Sequence, residues 1–239
     1  MTDNLVVSFK DSSIYESDVN ILKNSNQWLN DSIISFKIEF LKDKLLEKNE
    51  NKQLEKEILL LSPSIIFLCS FVDSEQEVLA ILSQLKLESR ELIFIPLNNN
   101  RNPEIIGGGS HWSLMVFVKK LNQFLYYDSM NRSNSQDALF VISKFKFLLT
   151  NSNKNLKEYI NFQATPQQIN SHDCGLYGLG MMEELLNIII DKKEKHPDLD
   201  YSDILLSPST KEIIFNIITP NYIKDKRTEI LNQVYSLKK

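Results

Sequence analysis

Cysteine, histidine and glycine are all scarce in this chain of 239 residues: two Cys, three His and six Gly. Two thiols, Cys69 and Cys174, exclude a disulfide framework, and so few histidines beside them exclude a structural zinc site. Reduced thiols suit a cytosolic or nuclear setting. No apolar run approaches the roughly 20 residues that span a bilayer. The first ten residues, with Asp3 and Lys10 among them, do not read as a signal peptide. A net charge of -4 supplies no overall basic field, which argues against nucleic acid as a partner. No repeat and no Pro- or Gly-rich linker divides the chain. Residues 1–239 therefore read as one domain, long enough to bury a core without disulfide or metal.

The few glycines fall in two clusters, Gly107-Gly108-Gly109 and Gly175, Gly178, Gly180, so unusual backbone angles are concentrated in two places. The first half reads mainly helical. Asn30 or Asp31 can cap a helix carrying Ile33, Ile34, Ile38, Phe40, Leu41 and Leu45. Segment 42–57, rich in Lys, Glu and Asn, reads as a solvated helix end and loop, with the character of an insertion. Ser62-Pro63 suits a helix start before 64–71, and Ser74 with Glu77 forms a capping box. In the middle, 92–97 reads as a buried strand. Segments 112–118 and 124–127 read as a hairpin closed by 119–123. Residues 138–149 return to helix, 159–164 suit a strand, and 174–193 suit a long helix. Further helices follow, with Pro208 and Pro220 near their starts. Helices, then strands, then helices make an α+β pattern.

Cys174 stands at the start of the long helix, where the backbone dipole and free N–H groups favour a nucleophilic thiolate. A lone cysteine is as commonly a small buried hydrophobe, and Cys69, inside an apolar run, fits that description better. An activated thiolate at Cys174 is expected to be exposed and oxidised before Cys69. A thiolate needs a base. His196 precedes Pro197 in a charged loop and His172 is too near in sequence, which leaves His111 at a strand end after the glycines. On its own His111 would be read as a structural histidine. Asp128 ends the second hairpin strand, so the hairpin makes it a neighbour of His111, able to orient the ring. Alone it is an ordinary turn residue. Gln168, six residues before Cys174, and the Cys174 N–H can donate to a developing oxyanion.

Assembled, these residues resemble the Ulp or sentrin-specific protease family. They stand here as His111-Trp112-Ser113-Leu114, Tyr127-Asp128-Ser129 and Gln168-Ile169-Asn170-Ser171-His172-Asp173-Cys174-Gly175. The likeness runs over most of the chain. It includes Asp11-Ser12, Ser17-Asp18-Val19, Trp28-Leu29-Asn30-Asp31, and Thr219-Pro220-Asn221-Tyr222-Ile223 with Lys226-Arg227. The stretch Arg132-Ser133-Asn134-Ser135 pulls toward the deneddylase branch. Segments 42–57 and, more clearly, 188–207 are longer than in the family pattern and stand as likely insertions.

The resemblance implies a papain-like fold, with a central, mainly antiparallel sheet flanked by helices. It implies a thiol protease, with no cofactor or metal, that cleaves after the Gly-Gly terminus of a ubiquitin-like modifier of Nedd type. Cys174 would be nucleophile, His111 base, Asp128 orienting group and Gln168 oxyanion donor. It also implies that Trp28 and Trp112 cover the substrate tail, where any Cβ would clash. The competing reading of both is as core aromatics. Asp31 would meet a basic residue of the modifier or act as a helix cap. A monomer without membrane attachment is expected. The alternatives are a SUMO- or ubiquitin-directed protease, an acyltransferase of related fold, and a catalytically silent modifier-binding module.

Overall fold

The computed structural model describes residues 3–102, 104–105, 108–150 and 154–238. Gly107 of the first glycine cluster and the first two residues of the N-terminal stretch lie outside them. Strands β1 (Leu5–Phe9) and β2 (Ser12–Tyr15) pair antiparallel around Lys10, whose φ is 51°. Reading this half as mainly helical passes over them, because strands of four or five residues with polar outward positions carry little apolar signal. Helix α1 (Glu16–Lys23) follows. Helix α2 (Asp31–Leu41) is capped by Asn30, whose side chain accepts from the Ile33 N–H; this settles the choice between Asn30 and Asp31.

Segment 42–57 is not a loop. It runs through a π-helical turn, a 3-10 turn and helix α3 (Lys52–Glu57), pinned by the buried Leu46 and Leu54. Strand β3 (Ile58–Leu60) leads to α4 (Pro63–Phe71), which has Ser62 as cap and Pro63 in its first turn, where a missing N–H costs nothing. Helix α5 (Glu75–Leu82) starts on the reciprocal Ser74–Glu77 box.

Strands β4 (Leu92–Asn98), β5 (Trp112–Val118) and β6 (Gln123–Tyr127) form the middle of the sheet. Helix α6 (Ser135–Lys144), strand β7 (Ile160–Phe162) and helix α7 (Cys174–Lys195) come next. Helices α8 (Tyr201–Leu206), α9 (Pro208–Ile217) and α10 (Pro220–Ser236) complete an α+β fold; the last two have proline in their first turns.

The five strands lie in the order β3-β4-β5-β6-β7. The two central ladders are antiparallel and the two outer ladders, three residue pairs each, are parallel. The expected antiparallel character thus holds at the centre, and the edges make the sheet mixed. Alternate residues of the sheet enter two separate cores. Phe94, Leu114, Val116 and Leu125 pack with α2 and α7, while Ile95, Met115, Phe117 and Phe124 pack with α4, α5 and α6. Burial on both faces explains why these strands are uninterrupted apolar runs rather than alternating ones. Each such side chain contributes roughly 1.5–3 kcal/mol. The turn at 119–122 closes the far end of the β5–β6 hairpin, leaving His111 and Asp128 together at its open end, and α7 packs across β5.

Candidate active site

His111 is held by its backbone before its side chain is considered. Gly109 takes φ +88°, a conformation other residues rarely adopt, and a Cβ there would lie 1.9 Å from Asn98 Oδ1. That turn delivers Ser110 and His111 to Asn99, whose Oδ1 accepts from both their N–H groups at 2.7 and 3.1 Å. The His111 carbonyl accepts from the Asn99 N–H at 3.3 Å and from Asn134 Nδ2 at 3.1 Å.

The ring of His111 places Nε2 2.7 Å from Asp128 Oδ1, both side chains being buried. The hairpin register sets Leu114 opposite Tyr127. Continued by one step, it sets Ser113 opposite Asp128, so His111 is the diagonal neighbour of Asp128, within reach of a long side chain. Asp128 is saturated with donors. Met130 N–H also donates to Oδ1 at 2.8 Å; Tyr126 O–H at 2.6 Å and Asn134 N–H at 3.1 Å donate to Oδ2. Burial alone would raise this carboxyl, but His111, Tyr126 and the Met130 N–H hold it below the usual carboxylate range. The Tyr126 hydroxyl is raised by burial and by its bond to Asp128, so it remains a donor.

Cys174 is the first residue of α7. Its neighbour Gly175 allows the helix start to press on Leu29: a Cβ at Gly175 would sit 3.1 Å from Leu29 Cβ. This close packing overturns the expectation of an exposed thiol. Cys174 is 1% exposed, in the same core as Leu29 and Trp112. It lies beside the His111 ring. Burial lowers the imidazole, but the hydrogen bond to Asp128 and the interaction with Cys174 outweigh it and raise it to about 9. With Nε2 given to Asp128, Nδ1 is the ring atom left for the sulfur; among the described residues it has no hydrogen-bond partner. A charged imidazole between a carboxylate and a thiol is the arrangement that keeps sulfur nucleophilic.

Gln168 is fixed by the segment after Asp128. Ser129 Oγ donates to its Oε1 at 2.7 Å, and its backbone N–H donates to the Ser129 carbonyl at 2.9 Å. Its Nε2 donates to the Asn170 carbonyl at 2.6 Å, and among the described residues its second amide N–H has no partner.

The remaining site candidates divide. Trp28 is 48% exposed, with Nε1 donating to the Ser171 carbonyl at 2.7 Å in the loop before Cys174. Trp112 is 5% exposed, with Nε1 donating to the Leu29 carbonyl at 2.9 Å. Asp31 is exposed in the first turn of α2, and its carboxylate has no ion pair among the described residues. Cys69 is fully buried in α4, its thiol pushed up to about 11 by burial, and His196 is on the surface. Among the described residues no cluster of three or more His, Cys, Asp or Glu could hold a metal, and no helix is long and apolar enough to cross a membrane.

Sequence reasoning missed Tyr126, Asn134 and Asn99 as groups that fix the pair. Tyr126 reads as one more apolar strand residue. Asn134 stood in view only as part of a branch signature; its contacts arise from a turn in which Asn131 and Arg132 take positive φ.

Residues 27–216 match the Ulp1 protease family, C-terminal catalytic domain. A probable sentrin-specific protease 8 of Dictyostelium discoideum is 57% identical over 246 residues, covering 100% of each chain. The NEDD8-specific protease 1 of Arabidopsis thaliana is 32% identical over 178 residues, covering 73% of this chain and 72% of its own. The C-terminal Ulp1 protease domain in complex with Smt3, the yeast orthologue of SUMO, superposes with a TM-score of 0.61 at 17% identity, over 99% of this chain and 89% of that one. The last is a likeness of fold.

Proposed function

The chain belongs to the Ulp1 protease family, and from that premise we propose a cysteine protease that cleaves after the C-terminal Gly-Gly of a NEDD8-type modifier. The observation that carries the chemistry is the His111 imidazole, fastened at 2.7 Å to a buried Asp128 with Cys174 at its other side. The name of the modifier rests on relatives named sentrin-specific protease 8 and NEDD8-specific protease.

The Cys174 thiolate attacks the carbonyl carbon of the terminal glycine. Negative charge moves to the carbonyl oxygen, where the free N–H of Gln168 and the unbonded N–H at the start of α7 receive it. Collapse breaks the C–N bond, and the His111 imidazolium gives its proton to the leaving amine. The thioester that remains is hydrolysed by a water whose proton returns to His111, and Cys174 is released as thiolate. Asp128 stabilises the charged ring throughout and fixes its tautomer. No step requires a metal.

Trp28, half exposed and tied to the loop before Cys174, covers the incoming tail, and a chain without side chains is what fits beneath a flat indole. Trp112 supports that cover from within the core through the Leu29 carbonyl. The unpaired Asp31 carboxylate is the group for a basic residue of the modifier.

A panel of modifiers carrying a C-terminal electrophile tests the assignment. The NEDD8 probe is expected to label Cys174, and SUMO and ubiquitin probes to leave it free. Labelling by the SUMO probe alone would overturn the choice of modifier. Cleavage of a linear modifier fusion by Cys174→Ala at the parent rate would overturn the choice of nucleophile.

A further inference from the structure

An aspartate placed before a helix ordinarily turns its carboxylate onto the first-turn N–H groups. Asp173, immediately before α7, makes no such cap. Both its oxygens are engaged elsewhere. Arg227 Nη2 donates to Oδ1 at 3.1 Å and Asn170 Nδ2 to Oδ2 at 2.7 Å. Arg227 comes from α10, is 6% exposed, and does more than pair with Asp173. Its Nη1 donates to the carbonyls of Ile21 and Asn24 at 3.1 and 3.2 Å, and its Nη2 to the carbonyl of Gln27 at 2.8 Å. Gln27 is the residue before Trp28. One guanidinium therefore grips the segment that carries the exposed indole and the residue that precedes the thiol.

We infer that Arg227 is a positioning residue with two separable tasks: it draws the Asp173 carboxylate away from the start of α7, keeping those N–H groups open at Cys174, and it fastens the Trp28 segment over the substrate path. The inference rests on Cys174 as nucleophile and Trp28 as cover. The first task is electrostatic. A carboxylate turned onto the helix start, or left there unpaired, would set a negative charge against the thiolate and occupy donors that the thiolate and oxyanion use. The second is geometric. A planar five-donor fork can bind three carbonyls and a carboxylate at once, which lysine or glutamine cannot do. Asn170 extends the same brace toward the oxyanion donor: its Oδ1 accepts from the N–H of His172 and of Asp173 at 3.1 Å each, and its carbonyl holds Gln168.

The two tasks come apart in R227Q, D173A and the double variant, made in the full chain. Two quantities are read: the rate at which iodoacetamide alkylates Cys174, resolved from Cys69 by mass spectrometry, and KM for a modifier fusion. R227Q is expected to slow alkylation about tenfold, the loss of roughly one charge-assisted contact, and to raise KM several-fold. D173A keeps the grip on the three carbonyls and removes the charge, so both quantities stay within about twofold of the parent. The double variant recovers the alkylation rate and keeps the raised KM. A double variant alkylated as slowly as R227Q, or an R227Q that matches the parent, overturns the inference. Should R227Q fail to fold, R227K serves: it keeps the charge and loses the fork, so alkylation near the parent rate with a raised KM supports the inference, and alkylation slowed tenfold overturns it. The alkylation arm needs no substrate. If Cys174→Ala still cleaved, the proposed function would fail while the effect of Arg227 on the thiol remained measurable.

Discussion

Asp128 Oδ1 lies 2.7 Å from His111 Nε2, and the same carboxylate takes three further hydrogen bonds, from Tyr126, Met130 and Asn134. No oxygen lone pair is left to reorganise, so the ring is oriented before any substrate arrives. Asp128→Asn removes the counter-charge of the imidazolium and presents an amide N–H to groups that are themselves donors. Its kcat is expected to fall about a hundredfold or more, with stability down by roughly 1–3 kcal/mol. Steady-state kinetics beside thermal unfolding checks this; a kcat within a few-fold of the parent would remove Asp128 from the mechanism.

The His111 imidazole, lowered by burial but raised further by Asp128 and Cys174, stands at about 9. On the proposed mechanism the charged ring gives its proton to the leaving amine, so kcat/KM should hold toward alkaline pH and fall above about pH 9. Stability moves the same way. The folded value exceeds the unfolded value of about 6.5, so the stabilisation is complete below that pH and lost as pH rises from there through about 9. Urea midpoints at about pH 6 and about pH 9.5 for the parent and His111→Gln measure it. Equal losses in both chains would mean that His111 contributes nothing to the slope.

Asn134 Nδ2 reaches the His111 carbonyl at 3.1 Å and Ser113 Oγ at 3.3 Å from a site 1% exposed. Asn134→Ala leaves that carbonyl with one donor fewer, at a cost of about 1–2 kcal/mol, and lets the ring drift. Lower kcat with an unchanged KM is expected. Asn134→Asp should be worse, since it sets a second carboxylate near Asp128; an Asp variant more active than the Ala variant would contradict this.

The two tryptophans should separate by what they affect. Trp112 is a core side chain at 5% exposure, and Trp112→Ala should cost about 3–5 kcal/mol of stability. Trp28 is 48% exposed, and Trp28→Ala should change stability by less than about 1 kcal/mol while raising KM. Denaturant curves and kinetics on a fusion substrate decide; an unchanged KM in Trp28→Ala would end its role as a cover.

Both thiols are buried, so exposure cannot rank their reactivity. Cys69 is held protonated, pushed up to about 11 by burial, whereas Cys174 has His111 beside it. Mild peroxide should modify Cys174 first, as peptide mass spectrometry would report; Cys69 oxidised first would contradict an activated Cys174.

The centre of the sheet was legible because β4 and β5 are buried on both faces, which leaves long apolar runs in the sequence. Strands β1, β2 and β3, three to five residues each, are too short for their pattern to be told from a helix or loop. His111, Asp128 and Cys174 could be picked out because a hairpin and a helix start are local patterns. The groups that hold them were not legible. Tyr126 looks like any strand residue, and Arg227 acts on Asp173 from 54 residues away, a pairing that no spacing rule encodes. The burial of Cys174 was missed for the same reason, since it follows from the close approach of Gly175 to Leu29.

Helix α7 and the β5–β6 hairpin are distinct pieces that meet only across a packed layer. The sulfur travels with the first and its imidazole with the second. A molecule whose helix has peeled from the sheet keeps its thiol but separates it from the imidazole and carboxylate that the hairpin holds together. On the proposed mechanism latency is thus inherent in assembly: a damaged or half-made copy would fall silent instead of attacking carbonyls at random.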